Sequence, residues 1–367
     1  MSLKPRFGIS RRAFINTAAM GSAAALAAPT VLTAKKTEGQ LIVGVEGHRY
    51  EVIHDWPLLP KRFTWQTTHD VAIDSDGLLY VIHNGKFEDK DHPAIFVFDP
   101  QGNYVRSFGN EFQGGGHGIE IRNEDGEDFI YVAAYKQVRS IAKLDLRGER
   151  VWRQGAPMES GVYAAGEEKI VHADKSKGRD KFMPTNFAFH PDGGFFLADG
   201  YGAYYIHRYD KQGKWLSMIG GPGKEDGQFN LPHGLWVDGR GDAEPQLVVS
   251  DRANARLQWF SLAGKHLRTQ DGFLLPANND VYGELMVVPD LVGRVTLLDK
   301  NNEVIAQLGD DSQRIKADTK YLIRRDPSQW LPGKFVHPHD ACFDSDGNLF
   351  VAEWVSTGRV TKLQRLS

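Results

Sequence analysis

Three histidines occupy equivalent positions in three related segments of the chain. His117 stands in Gly-His-Gly-Ile, His233 in Pro-His-Gly-Leu and His339 in Pro-His-Asp-Ala, and each opens a short apolar stretch. Three imidazoles with an open fourth position make a catalytic type of zinc site, although iron, cobalt and nickel also suit nitrogen ligands. The alternative is a ring of channel-lining histidines bonded to backbone carbonyls, which neutral imidazole forms without metal. Recurrence at one repeat position favours the metal.

Six such segments recur along the chain, and their spacing predicts the fold. Besides those of the three histidines, segments open at His69, at Asn186 and, more faintly, near Asn279. Each well-formed copy continues as an alternating run, an Asp-Gly turn and an apolar strand, and third and fourth strands follow. Four antiparallel strands in each of six units predict an all-β, six-bladed β-propeller over residues 35–367.

The blades of a propeller surround a common axis, and this sets what the segments line. Because the three histidines fall in alternate segments, we expect them to face one another across the channel. His69 and Asn186 open two of the other segments, and we expect them to line the channel mouth and contact a substrate. We expect the segment 41–45 to close the ring by pairing with the last blade, which protects the edge strands.

The composition argues against some classes of function. The 367 residues carry a formal net charge of −3, and the mildly acidic body argues against nucleic acid as the main partner. The single cysteine, Cys342, excludes an internal disulfide framework. It stands in an alternating run, so we expect a buried, inert thiol.

Residues 1–34 are predicted to be an export signal. Arg11 and Arg12 precede a weakly apolar segment that is too short for a typical membrane span of about 20 residues. The arrangement resembles a twin-arginine signal peptide, and the alternative is a disordered basic tail. We therefore expect the twin-arginine export machinery to deliver the protein to the periplasm or the exterior, with no stable membrane span after cleavage.

The segment 219–234 resembles the signature of NHL repeats. With it, the chain resembles the peptidyl-hydroxyglycine α-amidating lyases among the NHL propellers, most closely over residues 183–260 and 335–363. The resemblance implies that the three repeat histidines hold zinc. It also implies a catalytic tyrosine after an Asp-Gly pair, here Tyr201, and an active-site arginine in an Asp-Arg pair, here Arg252.

A structural calcium is implied as well. Asp340 matches the carboxylate that binds it, and the backbone carbonyls of Val71 and Ile119 match its other protein ligands. With the transition metal and Arg252 nearby, the phenolate form of Tyr201 is favoured, which makes this residue a base or a nucleophile.

Two departures separate the chain from these lyases. Asn84 stands where they carry a second substrate-binding arginine, and His337 stands where they carry a methionine. We expect Asn84 and His337 to contact the substrate and to make the pocket more polar and less cationic, which suits a hydroxylated molecule such as a sugar derivative. The alternative is that a nearby residue such as Lys86 supplies the missing charge.

The residues therefore predict an exported, metal-dependent, lyase-like enzyme that acts on a small polar molecule in the propeller channel. A metal-dependent hydrolase or lactonase is one alternative, because a six-bladed propeller supports that chemistry too. A non-enzymatic NHL module that binds a protein or glycan through its loops is the other. Metal content distinguishes the binding module from the two enzymes.

Overall fold

The computed structural model describes residues 35–37, 39–172, 175–241 and 244–366. The export signal predicted for residues 1–34 lies outside them. Within these ranges β-strands make up nearly all of the regular structure, and the one α-helix, α1 (Ser312–Ala317), has six residues. No helix in the described ranges has the length and apolar character that a membrane crossing requires.

The alternating runs of the sequence form short strands joined by tight turns. The strands of the first half are β1 (Lys35–Thr37), β2 (Gln40–Val45), β3 (His48–Ile53), β4 (Thr68–Ile73), β5 (Leu79–His83), β6 (Ile95–Phe98), β7 (Tyr104–Phe108), β8 (Gly116–Glu124), β9 (Glu127–Ala134), β10 (Ser140–Asp145), β11 (Arg150–Gln154), β12 (Phe187–Phe189) and β13 (Phe195–Ala198).

The second half continues in the same way. Its strands are β14 (Tyr205–Tyr209), β15 (Trp215–Gly220), β16 (Pro232–Asp238), β17 (Gln246–Asp251), β18 (Arg256–Ser261), β19 (His266–Gln270), β20 (Asp280–Tyr282), β21 (Leu285–Asp290), β22 (Arg294–Leu298), β23 (Val304–Leu308), β24 (Pro338–Phe343), β25 (Leu349–Glu353) and β26 (Arg359–Arg365).

These strands form six antiparallel sheets. Five are four-stranded blades in chain order: β4–β7, β8–β11, β12–β15, β16–β19 and β20–β23. The sixth joins β24–β26 to β3, β2 and β1. The six-bladed propeller predicted from the repeats is thus confirmed, and the faint fifth segment also forms a complete blade.

The ring closes where the two ends of the chain meet. β3 pairs with β26, so that Ile53 lies opposite Lys362 and Tyr50 opposite Arg365. β2 then pairs with β3 on the outside. The expectation that residues 41–45 pair with the last blade is corrected, because β3 takes that place. It buries Tyr50 and Val52, whereas β2 buries only Val43.

Apolar side chains pack between neighbouring blades. Val81 and Ile82 are consecutive in β5 and fully buried, yet they point to opposite faces of the sheet. Ile82 packs in a cluster with residues of the second blade, and Val81 packs with residues of the sixth, including Cys342. Cys342 is a buried free thiol, as expected. The innermost strands are therefore held from both sides and give side chains at the axis a rigid frame.

Candidate metal centre and active site

Four histidines stand at irregularities that open the innermost strands of four blades. The pairing of β4 with β5 skips His69, that of β8 with β9 skips His117, and that of β24 with β25 skips His339. Between β16 and β17 the register shifts across His233 and Gly234. A bulged residue is left out of the ladder, and bulges re-aim side chains. The same kind of strand irregularity therefore directs all four imidazole side chains toward the axis.

Gly118 and Gly234 follow two of these histidines and allow the next segment to approach. A Cβ at Gly118 would stand 2.2 Å from the carbonyl oxygen of Thr185. That same carbonyl bonds Nδ1 of His117 at 2.9 Å. A side chain at position 118 would therefore displace the group that orients the imidazole, and this explains the His-Gly pair of the repeat.

The four imidazole rings form one compact, buried cluster. Neighbouring ring centroids are 4.9 Å apart for His69 and His117, 4.8 Å for His117 and His233, 4.7 Å for His233 and His339, and 4.8 Å for His339 and His69. The diagonal between His117 and His339 is 5.0 Å. His69, which we expected at the channel mouth as a substrate contact, thus lies within the cluster.

Each ring is oriented by its Nδ1 atom, which lies within hydrogen-bond distance of a backbone carbonyl. When Nδ1–H donates, a neutral imidazole leaves the lone pair of Nε2 free. Burial lowers the pKa of all four rings, to about 3 for His117, so the cluster is neutral at pH 7. For His69, His117, His233 and His339 the carbonyls are those of Thr67 (3.2 Å), Thr185 (2.9 Å), Ala277 (2.7 Å) and His69 (2.8 Å).

The free nitrogens fit a divalent transition metal. Nε2 of His339 is buried and has no hydrogen-bond partner among the described residues. Nε2 of His117 lies 3.1 Å from Nε2 of His233. Two nitrogens bound tetrahedrally to one zinc at about 2.0 Å are roughly 3.3 Å apart. Lone pairs that face each other at this distance repel unless a cation or a proton lies between them.

Tyr201 and Arg252 form a hydrogen-bonded pair beside this cluster, as the resemblance implies. The phenol oxygen of Tyr201 lies 3.2 Å from Nε2 of His233 and accepts from Nη1 of Arg252 at 3.1 Å. Burial raises the pKa of Tyr201 and Arg252 opposes this, so the phenol keeps its proton until further positive charge enters the site. Nε and Nη2 of Arg252 are buried without partners among the described residues, and they remain available to a substrate.

Tyr135, which is not among the residues predicted from the sequence, completes the wall of the site. Its ring stacks on Tyr201 with centroids 5.1 Å apart and meets the ring of His117 edge-on at 4.9 Å. Its hydroxyl lies 3.5 Å from Nε2 of His69. Tyr135 follows the second strand of its blade directly, as Arg252 does in blade four. That shared repeat position is the signal that would have identified it.

Lys136 provides the positive charge that Asn84 lacks. Its ammonium group donates to Oδ1 of Asn84 at 2.8 Å, and burial lowers its pKa to about 8. Lys86, the alternative source of charge, is exposed instead and lies 3.9 Å from Asp89. The expectation of a less cationic pocket is therefore corrected: position 84 is neutral, but a half-buried lysine accompanies it.

His337 lies apart from the histidine cluster. Its Nδ1 lies 2.7 Å from the carbonyl oxygen of Leu291, and its ring packs against those of Tyr321 and Trp354, with centroids 5.8 and 5.7 Å away. It borders a cavity of about 350 Å³ that both apolar and polar residues line, most of them from the segments after β21 and after β23. His337 therefore stands in a side wall, away from the groups that could hold the metal.

A second polar cluster follows the histidines along the axis, and it is acidic. Asp70 comes directly after His69, and Asp340 after His339. Burial raises the pKa of both carboxyls, and the charge of Asp340 adds to the rise at Asp70. Burial likewise raises the pKa of Glu120, and it raises that of Asp280 to about 7. Glu120, Asp280 and Asp340 line a cavity of about 210 Å³.

The residues implied as calcium ligands lie at this acidic cluster. Asp340 accepts a hydrogen bond from the backbone N–H of Val71 at 2.9 Å, and Ile119 is buried in β8. Asn186 also belongs here, because its amide donates to Asp70 at 3.2 Å. The expectation that Asn186 lines the channel mouth is therefore corrected: it is 1% exposed and holds a carboxylate.

Comparison with curated proteins gives relatives of two kinds. No protein-family model matches the chain. Peptidyl-glycine alpha-amidating monooxygenase B of Xenopus laevis is 23% identical over 352 residues, 88% of this chain and 36% of the relative. NHL repeat-containing protein 3 of Homo sapiens is 25% identical over 217 residues, 58% of this chain and 56% of the relative. Peptidyl-alpha-hydroxyglycine alpha-amidating lyase 1 of Drosophila melanogaster is 26% identical over 197 residues, 48% of this chain and 34% of the relative.

Solved structures share the fold at lower identity. A streptogramin B lyase structure matches with a TM-score of 0.51 at 12% identity, over 86% of this chain and 98% of the other. Catalytically inactive virginiamycin B lyase from Staphylococcus aureus with quinupristin matches with a TM-score of 0.53 at 10% identity, over 86% of this chain and 100% of the other. The chain spans 36% and 56% of the first two curated relatives. It is thus a six-bladed propeller similar to amidating lyases and to NHL-repeat proteins, as its sequence predicts.

Proposed function

We propose that this protein is an exported, metal-dependent enzyme of lyase type that acts on a small polar substrate at the histidine cluster. The observation that supports this most is the convergence of neutral, buried imidazoles beside the Tyr201–Arg252 pair. Two of these nitrogens face each other at 3.1 Å. A binding module that uses its outer loops has no need of such a buried arrangement.

Tyr201 is the proton-transfer group in this proposal. A divalent metal held by the histidine cluster, zinc or a neighbour in the transition series, would supply Lewis acidity toward a substrate oxygen. The phenol oxygen of Tyr201 exchanges a proton with the substrate. Nη1 of Arg252, 3.1 Å away, stabilises the negative charge that forms on that oxygen.

The charges of the site favour a substrate with an anionic or oxygen-rich group. Within the described residues neither Arg252 nor Lys136 forms an ion pair; Arg252 is buried and Lys136 is half-buried. A site that carries these two positive charges together with a metal gains from a carboxylate or a similar group in the substrate. The free donors of Arg252 and the ammonium group of Lys136 are the contacts we assign to that group.

We also propose that calcium occupies the acidic cluster. Four carboxyl groups crowd this end of the axis, and burial raises their pKa values. A hard divalent cation with oxygen ligands would allow them to ionise together. Asp340 is the carboxylate ligand in this proposal, and the carbonyls of Val71 and Ile119 complete the protein contribution.

The experiment measures metal first and activity second. Protein isolated after natural export is analysed for metals by mass spectrometry and assayed with a hydroxyglycine-extended peptide and with an aldonolactone. Lyase activity releases a carbonyl product, and lactonase activity releases an acid, so the product separates the two chemistries. We expect one transition-metal ion per chain and turnover that Tyr201→Phe abolishes. Tyr104→Phe, in an outer strand, is the matched control. A metal content near zero would overturn the proposal.

A further inference from the structure

His69 shares every structural property of the three histidines that the repeats single out. It stands at the same irregularity of an innermost strand, and it is 1% exposed. Its Nδ1 lies 3.2 Å from the carbonyl of Thr67, which leaves Nε2 turned toward the cluster. Its ring lies 4.9 Å from that of His117 and 4.8 Å from that of His339.

The distances between the possible ligand nitrogens are consistent with the distances between the ring centroids. One nitrogen from each of His69, His117 and His339 can be chosen so that all three lie within 4.8 Å of one another. This set contains His69 in place of His233. The pair His117 and His339 is common to it and to the set predicted from the repeats, so one ion between these two rings has His69 on one side and His233 on the other.

We propose that His69 is a fourth imidazole ligand of the transition metal. The inference rests on the proposed function for the presence of a metal, and it goes beyond that function in naming the ligand number. Among the described residues, the lone pair of His69 Nε2 has only the hydroxyl of Tyr135 in reach, at the long distance of 3.5 Å. That contact is too weak to account for a buried imidazole aimed at three others.

A fourth imidazole changes which metals suit the enzyme. Four nitrogen ligands fill the tetrahedral coordination of zinc and leave no place for a substrate. Iron(II), cobalt(II), nickel(II) and manganese(II) accept five or six ligands, and imidazole suits iron and nickel well. We therefore infer a native ion from this group. The four imidazoles are neutral, so the bound ion keeps its double positive charge for an anionic substrate.

The test uses cobalt(II) as the probe, because its visible absorption depends on the number and geometry of its ligands. Metal-free full-length protein is titrated with cobalt(II), and the spectrum and dissociation constant are recorded. His69→Phe keeps a ring of similar size but removes the ligand nitrogen. We expect this variant to bind cobalt(II) at least about tenfold more weakly, with a changed spectrum. His207→Phe, which removes a buried imidazole from an outer part of blade three, serves as the matched control.

A measurement on the unaltered protein covers the case in which the variant does not fold. Every ligand ring that donates through Nδ1–H contributes one exchangeable, strongly shifted proton to the proton NMR spectrum of the cobalt(II) form. Four such signals support the inference, and three overturn it. If His69→Phe leaves spectrum and affinity unchanged while His233→Phe alters both, His69 is not a ligand and the proposed function stands. If the unaltered protein binds no divalent ion, the inference about His69 and the proposed function are both overturned.

Discussion

Nε2 of His117 and Nε2 of His233 face each other at 3.1 Å, although the Nδ1 atom of each ring already lies on a backbone carbonyl. Two lone pairs held in this way repel, and burial opposes protonation of either ring, as the lowered pKa values indicate. The protein without metal therefore stores an unfavourable contact at its axis, and a bound cation converts that contact into a stabilising one.

The first prediction concerns the stability of the metal-free protein. Removal of the transition metal by a chelator should lower the melting temperature by several degrees, because an ion at about 100 times its dissociation constant contributes roughly 2.7 kcal/mol. Scanning calorimetry with and without added metal measures the difference. His233→Ala should reduce the response to metal. A melting temperature that is the same in both forms would contradict the prediction.

The second prediction concerns Tyr201. Tyr201→Phe removes the hydroxyl between His233 and Arg252 but keeps the ring that stacks on Tyr135. Turnover should fall by about 10²- to 10⁴-fold, the usual contribution of a general acid or base, while the metal content stays unchanged. Steady-state kinetics and metal analysis of the same preparation test both statements. Retention of most of the activity would assign proton transfer to another group.

The third prediction concerns Lys136. Lys136→Met should raise KM for an anionic substrate by about tenfold or more, because it removes a half-buried positive charge from the wall of the site. The effect should be small for an uncharged lactone. Lys86→Met is the matched control, since this neighbouring lysine is exposed. An equal effect on charged and uncharged substrates would rule out a charge-specific role.

The fourth prediction concerns pH and calcium. Asp280 has a folded-state pKa of about 7, raised by burial above its ordinary value of 3.8. Its ionisation therefore opposes folding, and stability is lost as pH rises toward and through 7. The pKa values of the histidines are lowered from 6.5, so their protonation also opposes folding. This effect lowers stability as pH falls, and it acts only below about pH 6.5. Calcium-free protein should thus lose stability as pH rises to about 7.5, most clearly above about pH 6.5 where the histidines no longer contribute, and its stability should level off at higher pH.

Calcium should remove this loss, because a cation stabilises the ionised carboxylates. Thermal unfolding across that pH range, in a calcium chelator and in excess calcium, provides the comparison. Asp340→Asn should weaken the response to calcium. A chelated protein whose stability stays level up to about pH 7.5 would show that the carboxyls ionise without cost.

The fifth prediction concerns export. Replacement of both Arg11 and Arg12 by lysine should leave the protein inside the cell, because the twin-arginine pathway depends on the arginine pair. Cell fractionation and immunoblotting of the double variant measure this. Arg6→Lys, which changes an arginine outside the pair, is the control. Normal export of the double variant would contradict the prediction.

The repeats of the sequence predict the fold well, and particular residues show where prediction ends. Asp-Gly turns and alternating runs mark strands whose two faces are buried between blades, so the pattern is strong in five of the six units. The sequence predicts that residues 41–45 close the ring, whereas β3 takes that place in the structure. The burial of Tyr50 and Val52 distinguishes β3 from residues 41–45 as the closing strand, and this burial is seen only in the structure.

The sequence points to the residues of the candidate site that share a repeat position or match the resemblance. It does not point to the residues that lack such a position. Tyr201, Arg252 and the three histidines emerged from repeat positions and from the resemblance. His69 was assigned to the wrong layer, because the sequence does not reveal that its strand begins with the same irregularity. Lys136 lies far from Asn84 in the chain, and their hydrogen bond depends on the packing of blade one against blade two.

The pairing of β3 with β26 determines when the propeller can close during synthesis of the chain. Ile53 and Lys362 are opposite one another in the sheet, yet more than 300 residues separate them in the chain. Contacts between such distant parts of a chain form slowly. The nascent chain can form the first five blades on the ribosome, but the ring cannot close until β26 has emerged. Strand β26 thus closes the ring, and a chain truncated before it leaves β24 and β25 without the strand that joins them to β3.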